Sequence, residues 1–196
     1  MKATAIILAG GKSSRFGSDK TVLSFDGEKM VERIVRECRV FCDEIFIVSN
    51  AVNKFALPGV TELFDQYPNT GPLGGIHSGL SAANHEVAFV TACDMPFFDA
   101  KLGQILLHQI GNHDAVVPCI GEQIEPLYAV YRKTVQQQIE EQMKVGCFSV
   151  RALYPLIDVT YYNCETICYG DENINHTPFY NINYPKDFNK LAALVK

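Results

Sequence analysis

Six residues near the amino terminus, Ala3-Thr4-Ala5-Ile6-Ile7-Leu8, form a nearly unbroken apolar run that stops at Gly10 and Gly11. A run this short and this apolar, closed by glycines, is the pattern of a strand buried on both faces within a parallel sheet. The rest of the chain alternates accordingly. Met30, Val31, Ile34, Val35 and Cys38 recur at helical spacing over 29–40 with charged residues between them. Strands are predicted over 44–49, 60–64 and 86–92, with a helix over 74–83 between the last two. A helix over 101–110 and a strand over 115–118 follow. Beyond Pro118, a hairpin-like return strand over 124–131 and a polar helix reaching about Lys144 predict a mixed sheet, and Pro185 opens a terminal helix. The predicted fold class is α/β: a Rossmann-like, three-layer arrangement of a mostly parallel, mixed sheet with helices on both faces. Ligands bind such sheets at the carboxyl ends of the strands.

The 196 residues, 47% hydrophobic and 20% charged, suit one domain spanning 1–196 and exclude a disordered chain or a disulfide-dependent miniprotein. A net charge of −5 argues against a broad nucleic-acid footprint. Seven cysteines, an odd number scattered through apolar stretches, fit reduced and buried thiols, although Cys38/Cys42 and Cys164/Cys168 each stand four apart. The first apolar run is too short for a signal core or a membrane span, and no later run approaches about 18 residues, so a cytoplasmic protein without membrane contact is expected.

The loop after the first strand carries the chemistry. From Leu8 to Lys20 it holds Gly10, Gly11 and Gly17 with Lys12, Arg15 and Lys20 against a single acid, Asp19. Glycines let backbone amides approach phosphate oxygens, and cations stabilise charge that develops in phosphoryl chemistry. An anionic ligand belongs there. A Walker A loop ending in Gly11-Lys12-Ser13 would need glycine where Ile6 stands, and the dinucleotide fingerprint fails because Gly10 and Gly11 are adjacent.

The same string, Leu-Ala-Gly-Gly with a later Arg, hydrophobic residue, Gly and Lys, resembles the nucleotidyltransferases. Four further segments in order make the chain look most like the molybdenum cofactor guanylyltransferases: Ile47-Val48-Ser49-Asn50, Asp65 leading into Gly71-Pro72-Leu73-Gly74-Gly75, Cys93-Asp94-Met95-Pro96, and Asn181-Ile182-Asn183 before Pro185. The resemblance implies transfer of GMP from GTP to the terminal phosphate of molybdopterin with release of pyrophosphate. It implies Leu8, Ala9, Gly10, Gly11, Lys20, Asn50, Asp65, Gly71 and Asp94 around GTP, Arg15, Lys20 and Asp94 in catalysis, and Asn181 and Asn183 toward the acceptor or product. Asp94, an acid at the tip of an apolar strand, is the expected ligand of Mg2+, a hard ion that bridges carboxylate and phosphate oxygens. Glu125 and Arg151 stand as weaker candidates for the acceptor side. The resemblance also implies molybdoenzyme-maturation proteins as partners.

Two positions depart from the family pattern: Gly74 replaces an alanine, and Met95 replaces a threonine in the turn after Asp94. The glycine loop does not distinguish a guanylyl enzyme from one that uses CTP or another phosphorylated acceptor. A noncatalytic nucleotide-binding regulator is the rival from another class, and the joint presence of Arg15, Lys20 and Asp94 argues against it.

Overall fold

A computed structural model of the chain describes residues 1–10, 24–25, 27–51 and 53–165. Gly11, Arg15, Lys20, Asn181, Asn183 and the helix expected after Pro185 lie outside the described residues. The strands are β1 (Thr4–Leu8), β2 (Ser24–Phe25), β3 (Glu28–Lys29), β4 (Glu44–Ser49), β5 (Thr61–Phe64), β6 (Val87–Ala92), β7 (Ala115–Ile120), β8 (Gln123–Ile124), β9 (Tyr128–Arg132) and β10 (Val159–Asn163). The helices are α1 (Met30–Cys38), α2 (Pro72–Ala82), α3 (Ala100–His108) and α4 (Val135–Lys144), with a 3-10 helix over Val150–Leu156. β2 and β3 form a small separate ladder.

The main sheet runs β10-β7-β9-β6-β1-β4-β5, with β8 paired to β7. β1 pairs in parallel with both β4 and β6, and β4 with β5. β9 lies antiparallel between β6 and β7. The mixed, mostly parallel sheet read from the sequence is therefore present.

β1 shows why both faces are covered. Ala5 and Ile7 enter an apolar cluster with Val31 and Ile34 of α1 and Leu102 and Leu106 of α3. Ile6 and Leu8 enter a second cluster with Leu73, Ile76 and Leu80 of α2 and Ile139 and Met143 of α4. Alternate side chains of a strand point to opposite faces, so α1 and α3 form one outer layer and α2 and α4 the other. The approach of α2 to β1 depends on glycine: a Cβ on Gly79 would lie 2.5 Å from Ile6 Cγ2.

Most expected elements end within two residues of their predicted bounds. α2 begins at Pro72 rather than at residue 74, because proline suits the first helical turn and Gly71, at φ 68° and ψ −153°, turns the chain into it. α1 ends at Cys38, so Cys42 falls outside the helix; both thiols are buried, and all six described cysteines are free.

The predicted return strand over 124–131 is broken instead into β8 and β9. Cys119 pairs with Ile124 and Val116 with Val130, so Glu125, Pro126 and Leu127 form an irregular insertion between the two ladders. Pro118 lies opposite that break on β7, and neither proline has an N–H to give to the ladder. Breaks of this kind re-aim side chains at the edge of a site.

Candidate active site

β1 stands where the chain reverses its direction of travel across the sheet: β4 and β5 extend to one side, and β6 returns on the other. The crevice beyond the carboxyl ends of such strands is the ligand position of open α/β sheets. Ala9 donates its N–H to Val48 O at 2.8 Å, Cys93 donates to Leu8 O at 3.0 Å, and Asp65 donates to Ser49 O at 2.9 Å. These bonds extend the ladder past the strand ends and draw Leu8–Gly10, Asn50, Asp65 and Asp94 to one edge. Gly10 and Asn50 are exposed there. A Cβ on Gly10 would lie 3.8 Å from Asn50 Oδ1, so the first glycine of the loop passes directly beside that side chain.

Asp65 is held from two directions. Its Oδ1 accepts the N–H of Tyr67 at 2.9 Å and lies 3.4 Å from Ser78 Oγ on α2. Ser78 Oγ accepts the N–H of Gln66 at 2.9 Å and reaches Gly74 O at 2.9 Å. Among the described residues nothing donates to Asp65 Oδ2, and this oxygen is not one of the sealed polar atoms. A carboxylate oxygen accepts hydrogen bonds and gives none, so Oδ2 can take an N–H, an O–H or a cation but not a phosphate.

Gly71 heads α2 in a backbone conformation that a side chain would strain. Gly74 is tighter still. A Cβ there would lie 2.1 Å from Thr70 Oγ1, 2.8 Å from Tyr67 O and 3.1 Å from Asp65 Oδ1. The alanine of the family pattern would collide with the Asp65–Thr70 turn, whose Thr70 hydroxyl donates to Tyr67 O at 2.6 Å. Glycine is what lets this turn lie against the helix.

Asp94, half-buried, stands two residues past the end of β6. It is not the cap of the next helix: Asp99 fills that role, accepting from Lys101 N at 2.8 Å and Leu102 N at 3.4 Å. Met95, where the family carries threonine, is fully buried beside Thr91. That position points into the core, so the missing hydroxyl removes nothing from the crevice. Glu125 lies close enough to Asp94 that the two charges interact, and burial, reinforced by Asp94, pushes its carboxyl above the usual range. Its Oε1 accepts Leu127 N at 3.0 Å, while Arg151 donates to Ile124 O at 3.1 Å. Beneath them Tyr131 O–H bonds Pro126 O, and the hydroxyls of Tyr131 and Tyr154 pair, each at 2.9 Å.

The structure thus brings together Leu8, Ala9, Gly10, Asn50, Asp65, Gly71 and Asp94. The sequence reading missed Ser78 altogether. The available signal was a serine four residues after Gly74 inside a glycine-rich helix, the spacing at which a hydroxyl bonds back to the preceding turn. Among the described residues no group of three or more His, Cys, Asp and Glu gathers as a metal site. No described helix is long and apolar enough to cross a membrane.

A first strand that ends at Ala9 and Gly10 at the reversal point of the sheet, flanked by Asp65 and Asp94, fits a nucleotidyltransferase-type α/β protein. The chain belongs to the MobA-like NTP transferase family, whose model matches residues 5–154. It is 34% identical over 195 residues to the molybdenum cofactor guanylyltransferase of Desulfosudis oleivorans, covering 98% of this chain and 96% of that one. The fold is similar to molybdopterin-guanine dinucleotide biosynthesis protein A from Archaeoglobus fulgidus, with a TM-score of 0.81, 24% identity and 98% of each chain covered. It is also similar to 4-diphosphocytidyl-2C-methyl-D-erythritol synthase from Anaerococcus prevotii, with a TM-score of 0.73, 14% identity and coverage of 99% of this chain and 96% of that one.

Proposed function

We propose that this protein transfers GMP from GTP to the terminal phosphate of molybdopterin, acting as one nucleotidyltransferase domain over 1–196. The observation that carries the reading is the convergence of the Leu8–Gly10 backbone, Asp65 and Asp94 on the crevice where the sheet reverses. The likeness to guanylyltransferases over nearly the whole chain supports the choice of nucleotide and acceptor.

In this reading Leu8 and Ala9 form the base of the loop, the amides of Gly10 and Gly11 hold the phosphates, and Lys20 and Arg15 face the α- and the β/γ-phosphates respectively. Asn50, Asp65 and Gly71 line the nucleoside end, and Asn181 and Asn183 serve the acceptor side. An oxygen of the molybdopterin phosphate forms a bond to the α-phosphorus while the bond from that phosphorus to the bridging oxygen breaks, and pyrophosphate leaves. The attacking phosphate is already ionised near pH 7, so no strong base is needed, and the protein contributes position and electrostatics. Asp94 is the ligand for Mg2+. It is a hard oxygen donor two residues past the end of β6, and the cap of the following helix is Asp99 rather than Asp94. When bound, that ion neutralises charge on the departing pyrophosphate. A cytoplasmic location and hand-over of the product to molybdoenzyme-maturation proteins complete the proposal.

The test is pyrophosphate release from GTP and from CTP, with Mg2+, in the presence and absence of molybdopterin. Release that requires both GTP and molybdopterin is expected. Preference for CTP would keep the chemistry and overturn the base. Tight GTP binding without turnover for any acceptor would indicate a nucleotide-binding regulator.

A further inference from the structure

Ser78 is 2% exposed on the inner face of α2, touches no ligand position itself, and nevertheless reaches both Asp65 and the peptide that follows it. Its hydroxyl has one proton, shared between Gly74 O at 2.9 Å and Asp65 Oδ1 at 3.4 Å, and a lone pair that takes the N–H of Gln66 at 2.9 Å. The Asp65 N–H is meanwhile fixed on Ser49 O at 2.9 Å. The Asp65–Gln66 peptide is therefore pinned on one side to the end of β4 and on the other to α2. Tyr67 N–H at 2.9 Å and the Ser78 hydroxyl occupy Oδ1, which among the described residues leaves Oδ2 as the unengaged oxygen at the crevice edge.

We infer that Ser78 is a positioning residue for nucleotide selection: it fixes the Asp65 carboxylate so that Oδ1 is satisfied inside the protein and Oδ2 is presented to a donor group of the nucleoside. This rests on the proposal that Asp65 lines the nucleotide site. Gly74 is part of the same device, since only a residue without a Cβ lets Thr70, Tyr67 and Asp65 pack against the first turn of α2. Pre-setting a polar side chain in this way lowers the cost of ordering it on binding. The donor is an N–H of the base or an O–H of the ribose; phosphate oxygens offer no proton at neutral pH.

The decisive experiment is a double-mutant cycle on GTP affinity in the full-length chain, using Ser78→Ala, Asp65→Asn and the pair, with kcat, KM and melting temperature recorded for each. Asparagine keeps an oxygen for Tyr67 N–H and removes the charge, so Asp65→Asn preserves the turn. Ser78→Ala is expected to raise Kd and KM for GTP about tenfold with kcat within about twofold, and to add nothing in the Asp65→Asn background, as two residues acting through one contact are strongly coupled. Ser78→Cys, close in size, is expected to fall between serine and alanine and guards against an alanine variant that fails to fold. Inosine triphosphate, which lacks the 2-amino group, and 2′-deoxy-GTP assign the donor: whichever analogue loses its sensitivity to Asp65→Asn lacks the partner of Oδ2. Additive effects of the two substitutions, or unchanged GTP affinity in both Ser78 variants, would overturn the positioning role alone. Unchanged GTP affinity in Asp65→Asn would remove Asp65 from the nucleotide site and Ser78 with it.

Discussion

On the β1, β4 and β5 side of Asp94, the crevice edge is made by main chain and glycine. Backbone bonds carry Ala9, Asp65 and Cys93 past the strand ends, and Gly71 and Gly74 let a turn press onto α2. On the β9 side the same edge is made by side chains from three elements: Glu125 on the irregular insertion, Tyr131 on β9, and Arg151 and Tyr154 on the 3-10 helix. A backbone-built edge presents fixed turns and closely packed glycines suited to a constant group such as a triphosphate. On the β9 side Glu125 and Arg151 are the groups that can be altered without disturbing the sheet, since Tyr131 and Tyr154 belong to the core. The half proposed for the nucleotide is thus tied to the fold, whereas the half proposed for the acceptor presents replaceable side chains on a buried tyrosine base.

Asp94 stands between the two halves, and its loss should cost the most. Asp94→Ala is expected to lower kcat/KM by about 100-fold or more, the scale of removing one charge-stabilising group from a transition state. Steady-state kinetics at saturating Mg2+ would measure it. Near-normal turnover would remove Asp94 from the chemistry and leave the two halves without a shared centre.

Gly74→Ala sharpens the nucleotide side. The added Cβ meets Thr70 Oγ1 at 2.1 Å and Tyr67 O at 2.8 Å, so overpacking of about 1–3 kcal/mol is expected, with GTP KM raised roughly tenfold by the same energy scale. Adding Thr70→Ala clears the first clash and should recover part of the loss. If the single variant binds GTP normally, the turn is not a rigid part of the nucleotide half.

A smaller effect separates the acceptor side. Glu125→Gln keeps an oxygen for Leu127 N–H and removes a negative charge beside Asp94. The KM of the anionic acceptor should fall by roughly threefold, the scale of a partly exposed charge, with GTP KM unchanged. A shift in GTP KM instead would erase the division between the halves.

The same division explains how much could be read in advance. β1, α1 and β6 announce themselves because burial on both faces, or on one helical stripe, imposes a pattern on consecutive residues. The glycine string, Asp65 and Asp94 were legible as a site because backbone geometry constrains them locally. Ser78 was not, since its partners lie 12 and 13 positions away and only the docking of α2 onto β5 brings them near. The return strand was drawn too long for a related reason. The break lies opposite Pro118 on the facing strand, where Glu125 N–H reaches Pro118 O, and a correspondence across two strands leaves no periodic trace in either. Met95 shows the converse: a departure from the family pattern next to Asp94 in sequence is a fully buried side chain of the core.

The smallest expected effect concerns pH, and it too separates the halves. His77, next to Ser78 on α2, is 3% exposed, meets Tyr67 edge to face at 4.8 Å, and has neither ring nitrogen hydrogen-bonded. Burial lowers its pKa, and the charges of Glu140 on α4 and Asp65 only partly offset that. The folded chain therefore binds this proton less readily than the unfolded chain, whose histidine titrates near pH 6.5. The stability that neutral His77 confers is complete above that pH and is lost as pH falls through it toward the lower folded value. Melting temperature should decline between pH 7.5 and 5.5, and His77→Leu should flatten that component of the decline; an unchanged slope would clear His77. Across the crevice, burial pushes the hydroxyls of Tyr131 and Tyr154 up and away from this range. On that edge the group that takes up a proton as pH falls is Glu125, whose carboxyl pKa is raised by burial; the part of the acid response carried by His77 is isolated by comparison, since GTP KM should rise with acidification more steeply in the parent chain than in His77→Leu.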